Sequence, residues 1–292
     1  MKIKKKSFRG YYAFIIVFLV LYLGFYLIKT SVVLKAGDRL NLVFYGQDTS
    51  VYSIGTNDVS YKLLFPAEIY LSVPGGYGYY RTGSIGKLVS LEKKPDLYKR
   101  VFSAASSSFI DLYFYPQIPT IYYGKEEAFN KRLDLADILI NKSNANLLDR
   151  LYLVWRLVLS GNNQYRTIDD LPIKQGLNRK LFDREAFKKQ SQGYFYKRTY
   201  RTIRENVQIL YTKNYKTAKI LSDVIEGEGI RVVDLTQTDH KNECRLSYQK
   251  TAKSLVTENL ANFFKCRMEK KATELSDIIL ELGKLEEEWE TE

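Results

Sequence analysis

The sequence predicts an α/β (α+β) protein with an N-terminal transmembrane helix, a first α/β domain over residues 39–198 and a small β-α-β-β-α-β domain over residues 199–285. Three observations predict this class: an uncharged apolar run, an alternation of strand and helix patterns after it, and a compact series of such patterns near the C-terminus. The 292 residues leave room for two modest domains after the apolar run.

The apolar run is YYAFIIVFLVLYLGFYLI, residues 11–28, which contains no charged residue, Asn, Gln or Pro. An α-helix rises about 1.5 Å per residue, so the run reaches roughly 27 Å, close to the hydrocarbon thickness of a bilayer. A cleaved signal peptide is the alternative. Such a peptide has a shorter apolar core and a small-x-small cleavage site, whereas KTSVVL follows the run here. We therefore predict one retained transmembrane helix.

The charges beside the run predict its orientation. Residues 1–10 contain five cations and no acid, and the connector over residues 29–38 carries cations more thinly. Because the cation-rich side of a membrane helix stays in the cytoplasm, we expect a cytoplasmic N-terminus, a single membrane pass and an extracytoplasmic body.

The body of the protein is basic. The net charge is +12, and the five cations before the run balance the five glutamates after Leu285, so the body between them carries the whole excess. A basic exported body favours anionic lipid headgroups or phosphate-bearing polymers as partners. Export and the lack of an interleaved basic and aromatic motif argue against nucleic acid.

The two cysteines, Cys244 and Cys266, predict one disulfide, since an even count outside the cell favours pairing and two cysteines do not suit zinc. The alternative is two buried free thiols. The single histidine, His240, lies in the polar stretch TDHKN, which is typical of a solvated loop and not of a catalytic pair.

Strand and helix patterns alternate through the first domain. The predicted strands are residues 39–46, 61–65, 67–73 and 109–115, and the predicted helices are residues 83–91, 95–105 and 147–159. The last helix is amphipathic, with an apolar stripe formed by Leu148, Leu151, Tyr152, Trp155 and Leu159. PGGYG at residues 74–78 predicts a turn, and the polar stretch 183–204 contains the boundary to the second domain.

The second domain has a more regular pattern. Its predicted strands are residues 206–210, 230–235, 244–248, 264–268 and 277–283, and its predicted helices are residues 215–226 and 251–263. If the strands that begin near Cys244 and Cys266 are neighbours, their Cβ atoms could approach the roughly 4 Å that a disulfide needs. The acidic tail, residues 286–292, predicts a solvated end.

This second domain resembles the C-terminal domain that follows LytR-CpsA-Psr domains. The resemblance rests on VQIL at residues 207–210, the helix with Ala218 and Leu221, EGIRVV at residues 228–233, TAKSL at residues 251–255 and DIILELG at residues 277–283. It covers nearly the whole domain, and the closing aspartate-aliphatic-glycine strand lies where that pattern has it.

The first domain resembles the LytR-CpsA-Psr domain itself, at fewer positions. Gly46-Gln47-Asp48 is similar to the family's strand that ends in glycine-x-aspartate, and Asn57-Asp58-Val59 lies near its second acidic motif. LSVP at residues 71–74 and GYGYYR at residues 76–81 are similar to the family's serine-aliphatic-proline strand and the glycine-tyrosine-glycine stretch after it.

The resemblance implies a single-pass envelope protein related to phosphotransferases that move glycopolymers from polyprenyl-pyrophosphate to the cell wall. In such an enzyme Asp48 and Asp58 would hold Mg²⁺, and Arg81 would neutralise phosphate charge. The implied partners are the membrane, polyprenyl-phosphate lipids or anionic envelope glycopolymers, and other envelope proteins.

One departure from the family pattern decides between two functions. Gly75-Gly76 follows Pro74, where the family has an arginine-aspartate pair, and Thr49 follows Asp48 in place of a basic residue. Loss of cationic groups removes transition-state stabilisation of several kcal/mol. We therefore expect a non-catalytic relative that binds or organises envelope polymers or partners, and the alternative is an active glycopolymer phosphotransferase.

Overall fold

The computed structural model describes residues 9–124, 133–159, 165–176, 178–239, 243–249 and 253–291. It begins with α1 (Arg9–Thr30), whose apolar side chains are almost all exposed and pack against no protein core. At 22 residues, this helix is long and apolar enough to cross a membrane. Residues 1–8 of the predicted cytoplasmic segment lie outside the described residues, and so does His240.

The first domain contains short helices among ten strands in the described part of the chain. The helices are α2 (Val33–Ala36), α3 (Ile85–Glu92), α4 (Asp96–Ser106), α5 (Leu135–Leu139), α6 (Leu147–Leu153), α7 (Arg184–Gln190) and α8 (Arg198–Ile203). A 3-10 turn, Thr82–Ser84, precedes α3, and a π-helical segment, Val154–Leu159, continues α6. The strands are β1 (Arg39–Phe44), β2 (Asp48–Gly55), β3 (Ser60–Pro66), β4 (Tyr70–Val73), β5 (Gly78–Arg81), β6 (Leu112–Tyr115), β7 (Lys142–Ser143), β8 (Tyr165–Ile168), β9 (Ile173–Gly176) and β10 (Arg179–Phe182).

These strands form two sheets. A six-stranded sheet has the order β7-β6-β1-β2-β3-β8, and a four-stranded sheet has the order β5-β4-β10-β9. Successive residues of β1 face opposite sides of the larger sheet, so Val43 packs with the α3 and α4 side chains while Leu42 packs with Leu153 and Leu157 of the α6 segment. Both faces of the larger sheet are therefore covered, which explains why β1 and β2 are buried along almost their whole length.

The strand β2 is the main element that the sequence pattern did not predict. Its sequence DTSVYSIG is rich in residues with strand propensity, and it pairs with β1 from Arg39↔Gly55 to Phe44↔Ser50. Because both of its faces are buried, it lacks the alternation of polar and apolar residues that marks a half-exposed strand.

The second domain has the predicted order of strands and helices. It contains β11 (Asn206–Tyr211), α9 (Tyr215–Gly227), β12 (Arg231–Gln237), β13 (Arg245–Tyr248), α10 (Leu255–Phe264), β14 (Arg267–Lys270) and β15 (Ile278–Glu281). The sheet order is β12-β11-β15-β13-β14. Strands β13 and β14 are parallel neighbours paired at Arg245↔Arg267, which places the preceding Cys244 and Cys266 side by side. The predicted disulfide is present, with a Cα–Cα distance of 4.8 Å.

The acidic tail is not a solvated end, and that prediction was wrong. Its residues form α11 (Leu285–Trp289), in which Glu286 and Trp289 are buried. Trp289 packs edge-on against Phe264, with ring centroids 5.8 Å apart. The carbonyl of Glu290 then accepts hydrogen bonds from the Gly75 and Gly76 N–H groups at 2.8 and 3.0 Å. The tail therefore connects the second domain to the PGGYG turn of the first.

A buried polar cluster also joins the two domains. The Glu228 carboxylate accepts hydrogen bonds from Asn41 Nδ2 at 3.1 Å and the Phe109 N–H at 2.7 Å. Lys197 Nζ lies 3.3 Å from both Glu228 Oε2 and Asp111 Oδ1. Burial raises the pKa of Glu228 above the ordinary value, and the ammonium of Lys197 opposes that rise. Two carboxylates thus share one cation inside the domain contact.

Candidate anion-binding cleft

The structure does not bring Asp48 and Asp58 together. Asp48 begins β2, whereas Asp58 lies beside Gly55, at the other end of that strand. A Cβ added to Gly55 would lie only 2.9 Å from the Asp58 Cβ. A strand rises about 3.3 Å per residue, so the length of β2 separates the two aspartates by roughly 23 Å. One Mg²⁺ ion cannot bind both carboxylates, and the expected metal pair does not fit this chain. No group of three or more His, Cys, Asp or Glu side chains placed to hold a metal occurs in the described ranges.

Asp58 instead stabilises the edge of the first domain. Its carboxylate lies 3.0 Å from Arg39 Nη2 and 2.9 Å from Arg198 Nη2. Burial alone would raise the pKa of Asp58, but the Val59 N–H and the Arg39 and Arg198 guanidinium groups outweigh it, so this pKa lies below its ordinary value. Arg39 is itself buried and also donates to Ser53 Oγ at 2.8 Å. The charge of Asp58 is therefore neutralised by Arg39 and Arg198, which is a structural role.

Arg81 ends β5, opposite Tyr70 of β4. Its guanidinium carbon lies 5.6 Å from the centroid of the Tyr123 ring, within the range of a cation–π contact. The side chain is partly buried against this ring. The three predicted site residues thus lie on separate elements, and Asp58 and Arg81 have different partners.

The chain forms a different concave site where the two domains meet. A cavity of about 550 Å³ is lined by α7, its following loop and α8 of the first domain and by α9 and β12 of the second domain. Among the described residues of its walls are five cationic side chains and two acidic ones. The cations are Lys188, Lys189, Arg201, Lys219 and Arg231, and the acids are Glu185 and Glu226.

Two of these cations, Lys188 and Lys219, are neutralised by acids of α9, one of them buried behind the cleft wall. Asp223 of α9 is fully buried, and its carboxylate contacts Lys188 at 2.5 Å, Arg184 at 3.3 Å and also Lys219. Lys188 further contacts Glu226 at 2.9 Å. Burial alone would lower the pKa of Lys188, but Asp223 and Glu226 raise it above the ordinary value, so the ammonium stays charged. This network fixes α7 against α9. Its charges neutralise one another, so they contribute little to binding an anion in the cleft.

Three cations of the cleft remain available to a ligand. Lys189, Arg201 and Arg231 are exposed, and none of them forms an ion pair with a carboxylate of the described residues. The Arg201 guanidinium carbon lies 5.0 Å from the Tyr196 ring centroid, which orients this side chain along the cleft wall. Gly229, at a φ of 96°, permits the close approach of Arg201, whose Cγ would lie 3.0 Å from a Cβ at that position.

The basic surface continues outside the cleft along α8. Arg198, Arg201 and Arg204 line a shallow depression of about 480 Å³, which shares Arg201 with the cleft. Residues three apart lie on one side of a helix, so Arg198 and Arg201 share one side of α8, and Arg204 follows directly after the end of this helix. Arg198 is paired with Asp58, whereas Arg201 and Arg204 have no carboxylate partner in the part of the chain that the structure describes.

The chemistry of the cleft is that of an anion site. Guanidinium groups offer paired N–H donors that match phosphate and carboxylate oxygens, and a lysine ammonium adds a point charge. Ser107 also lines the cleft, and its buried hydroxyl has no hydrogen-bond partner in the described parts of the chain.

Sequence reasoning missed this cleft because it treated residues 183–204 only as a domain boundary. The signal was present: this stretch carries most of the relevant cations, and Arg231 follows the EGEGI turn of the second domain. The sequence pattern did not show that the fold brings residues 183–204 next to Arg231.

No protein-family model, curated protein or solved structure matches this chain.

Proposed function

We propose that this protein is a membrane-anchored envelope protein whose body binds phosphate-bearing polymers or lipid phosphates through the cleft between its two domains. We further propose that it is a non-catalytic member of the LytR-CpsA-Psr type, with its N-terminus in the cytoplasm and its body outside the membrane. The resemblance to that family stays a prediction that rests on the sequence motifs.

The single observation that carries the binding proposal is a set of three cations in one cleft that form no ion pair with the described carboxylates. Lys189, Arg201 and Arg231 line a cavity large enough for several phosphate groups, and the neighbouring acids are already paired with Lys188, Lys219 and Arg184. Like charges repel, so a protein that gathers them without partners raises its own free energy unless an anion binds there. Arg204 extends the same positive surface beyond the cavity.

The placement of Asp48 and Asp58 supports binding over group transfer. The strand β2 separates them by its whole length, and Asp58 is neutralised by Arg39 and Arg198. The described side chains around the cleft include no histidine or cysteine that would act as a base or nucleophile. Ligand retention is therefore the chemistry that the cleft supports best.

The membrane placement is supported by α1, whose side chains from Tyr12 to Ile28 are uncharged and mostly exposed and belong to no core cluster. Five cations precede its apolar run, which favours retention of that end in the cytoplasm. An anchored, basic body would stay close to anionic lipids and to polymers attached to the membrane.

The test measures binding of the full chain, reconstituted in nanodiscs of neutral lipid, to poly(glycerol phosphate) and to an uncharged polysaccharide. The site variant Lys189→Gln/Arg201→Gln/Arg231→Gln should weaken binding to the phosphate polymer by about tenfold or more, because about 1.4 kcal/mol corresponds to each factor of ten. Vesicles that contain polyprenyl phosphate are the second ligand and separate a lipid phosphate from a polymer phosphate.

The matched control is Lys87→Gln/Arg267→Gln/Lys271→Gln, which removes three exposed cations that have no described ion pair and lie outside the cleft. It changes the net charge by the same amount, so it reports attraction by overall charge alone. Equal losses in the two triple variants, or equal binding of the uncharged polysaccharide, would show that the cleft is not the binding site.

A further inference from the structure

The α6 segment, Leu147–Leu153 with its continuation Val154–Leu159, carries an exposed apolar ridge. Four side chains spaced four residues apart form it, and more than half of the surface of each is exposed. They are Leu147 at 55%, Leu151 at 52%, Trp155 at 57% and Leu159 at 66%. We call these four residues the α6 ridge.

The ridge is not needed for the core of the protein. On the opposite side of the same segment, Leu153 and Leu157 are buried against the larger sheet of the first domain. The predicted apolar stripe of this helix is divided: Leu151, Trp155 and Leu159 are exposed, whereas Leu148 and Tyr152 are half-buried. The stripe therefore does not mark the side that faces the core. A contiguous exposed apolar surface of this kind marks a contact with a membrane or another protein.

A neighbouring helix end extends the ridge. Leu139 and Ile140, at the end of α5, are also exposed. The Arg150 guanidinium fixes this end beside α6, since it donates to the Leu139 carbonyl at 3.2 Å, the Asn141 carbonyl at 3.0 Å and the Ile138 carbonyl.

The membrane-spanning helix is hydrogen-bonded directly to the start of the ridge. Asn146 precedes Leu147, and its Nδ2 donates to the Leu27 carbonyl at 2.8 Å and to Thr30 Oγ1 at 3.0 Å. Leu27 belongs to the last turn of the uncharged apolar run. The first residue of the ridge therefore lies beside the C-terminal end of the apolar run.

A second contact makes this connection rigid. The buried Asp149 carboxylate accepts hydrogen bonds from Ser31 Oγ at 2.6 Å and the Val33 N–H at 3.0 Å through Oδ1, and from the Val32 N–H at 3.2 Å through Oδ2. The residues that follow α1 are thus hydrogen-bonded to α6 at three points.

We propose that the α6 ridge lies in the interfacial layer of the bilayer, between headgroups and acyl chains, and holds the body in one orientation on the membrane. This inference rests on the proposed membrane anchoring. Continuity with α1 selects the bilayer as the occupant, because the ridge begins beside the C-terminal end of the apolar run. Its composition agrees, since Trp prefers the interface and Leu side chains enter the acyl boundary.

The test uses the fluorescence of Trp155 in the full chain reconstituted in phosphatidylcholine and phosphatidylglycerol vesicles. Trp289 is buried, so the difference between the wild type and Trp155→Phe isolates the emission of Trp155. Lipids brominated near the headgroup should quench this emission, and aqueous acrylamide should quench it weakly. The variant Leu147→Ser/Leu151→Ser/Leu159→Ser should reduce lipid quenching by about twofold or more, because interfacial binding scales with buried apolar area. Leu91→Ser, at a leucine that is 67% exposed on another helix, should leave it unchanged.

Each other outcome has a defined meaning. Strong acrylamide quenching without lipid quenching places the ridge in water and overturns the inference. Protection from both quenchers means that a second copy or another protein covers the ridge, which also overturns it. An alkaline carbonate wash separates the two proposals: release of the chain from the vesicles contradicts the anchoring, whereas retention without lipid quenching contradicts only the ridge.

Discussion

Gly227, the last residue of α9, packs so closely against Ser107 that a Cβ at position 227 would lie 1.5 Å from the Ser107 carbonyl oxygen. Ser107 follows α4 of the first domain, whereas α9 belongs to the second domain. No side chain fits between these two backbones, so the contact between the domains requires a glycine at this position. The buried Glu228 cluster begins at the very next residue.

We predict that Gly227→Ala separates or distorts this contact. The methyl group would have to displace backbone and not a flexible side chain, so we expect a loss of unfolding free energy of about 3 kcal/mol or more. Urea unfolding of the full chain in detergent measures it. Gly46→Ala is the control, because no heavy atom lies within 4 Å of the Cβ it would add. Equal stability of the two variants would contradict the close approach.

We predict that Glu286→Gln destabilises the protein at neutral pH by about 1–3 kcal/mol, the usual cost of weakening hydrogen bonds to a buried carboxylate. The Glu286 carboxylate accepts hydrogen bonds from the Thr212 N–H at 2.9 Å, the Lys213 N–H at 2.7 Å and the Asn214 N–H, just before α9. Glu287→Gln is the matched control, since Glu287 is exposed in the same helix. Urea unfolding followed by the emission of Trp289 reports the change within α11.

The same residue predicts a pH dependence. Burial alone would raise the pKa of Glu286, but the Thr212 hydroxyl and the three N–H donors lower it below the ordinary value of 4.5. A carboxylate with a lowered pKa in the folded protein stabilises it above the unfolded pKa, and this stabilisation is lost as the pH falls through the folded pKa. The stability difference between wild type and Glu286→Gln should therefore be full near pH 7 and shrink below about pH 4.5. A stability difference between the two proteins that grows as the pH falls would contradict the lowered pKa of Glu286.

We predict that the disulfide contributes about 3 kcal/mol, because its two cysteines are 22 residues apart and close a loop of moderate length. The variant Cys244→Ser/Cys266→Ser should lose this amount in urea unfolding. Reduction of the wild type should cause the same loss, whereas the reductant should not change the variant. Mass spectrometry of the non-reduced protein tests the bond directly, and two free thiols would rule it out.

We predict that Asp149→Asn loosens the connection between α1 and the body. Its carboxylate accepts hydrogen bonds from four donors: Ser31 Oγ, the Val32 and Val33 N–H groups, and the Asn146 N–H at 3.1 Å. An amide group turns one acceptor oxygen into a donor and leaves one or two N–H groups unsatisfied, at a cost of about 1–3 kcal/mol.

Hydrogen exchange of residues 31–36 in the nanodisc-bound chain should accelerate in this variant. Asp134→Asn is the control, since Asp134 caps the short helix α5 through the Asp137 N–H and does not contact this connection. Unchanged exchange in Asp149→Asn would mean that the carboxylate is not what fixes the connection.

The sequence by itself determined the elements whose pattern is local. The uncharged run at residues 11–28 predicts a long apolar helix, which is present, and the second domain has the predicted order of strands and helices, with the predicted disulfide between Cys244 and Cys266. These features depend on composition, on periodicity and on neighbours within a short stretch of chain.

Only the tertiary structure decided where the charged groups meet. It separated Asp48 from Asp58 by the unpredicted strand β2, placed Arg231 and Lys189 in the wall of the same cleft, and buried Glu286 against backbone donors more than seventy residues away in sequence. The partner of a charge is chosen by which distant segments pack together, and that choice depends on the burial of whole faces of sheets and helices. The order of charged residues along the sequence does not show which distant segments pack together.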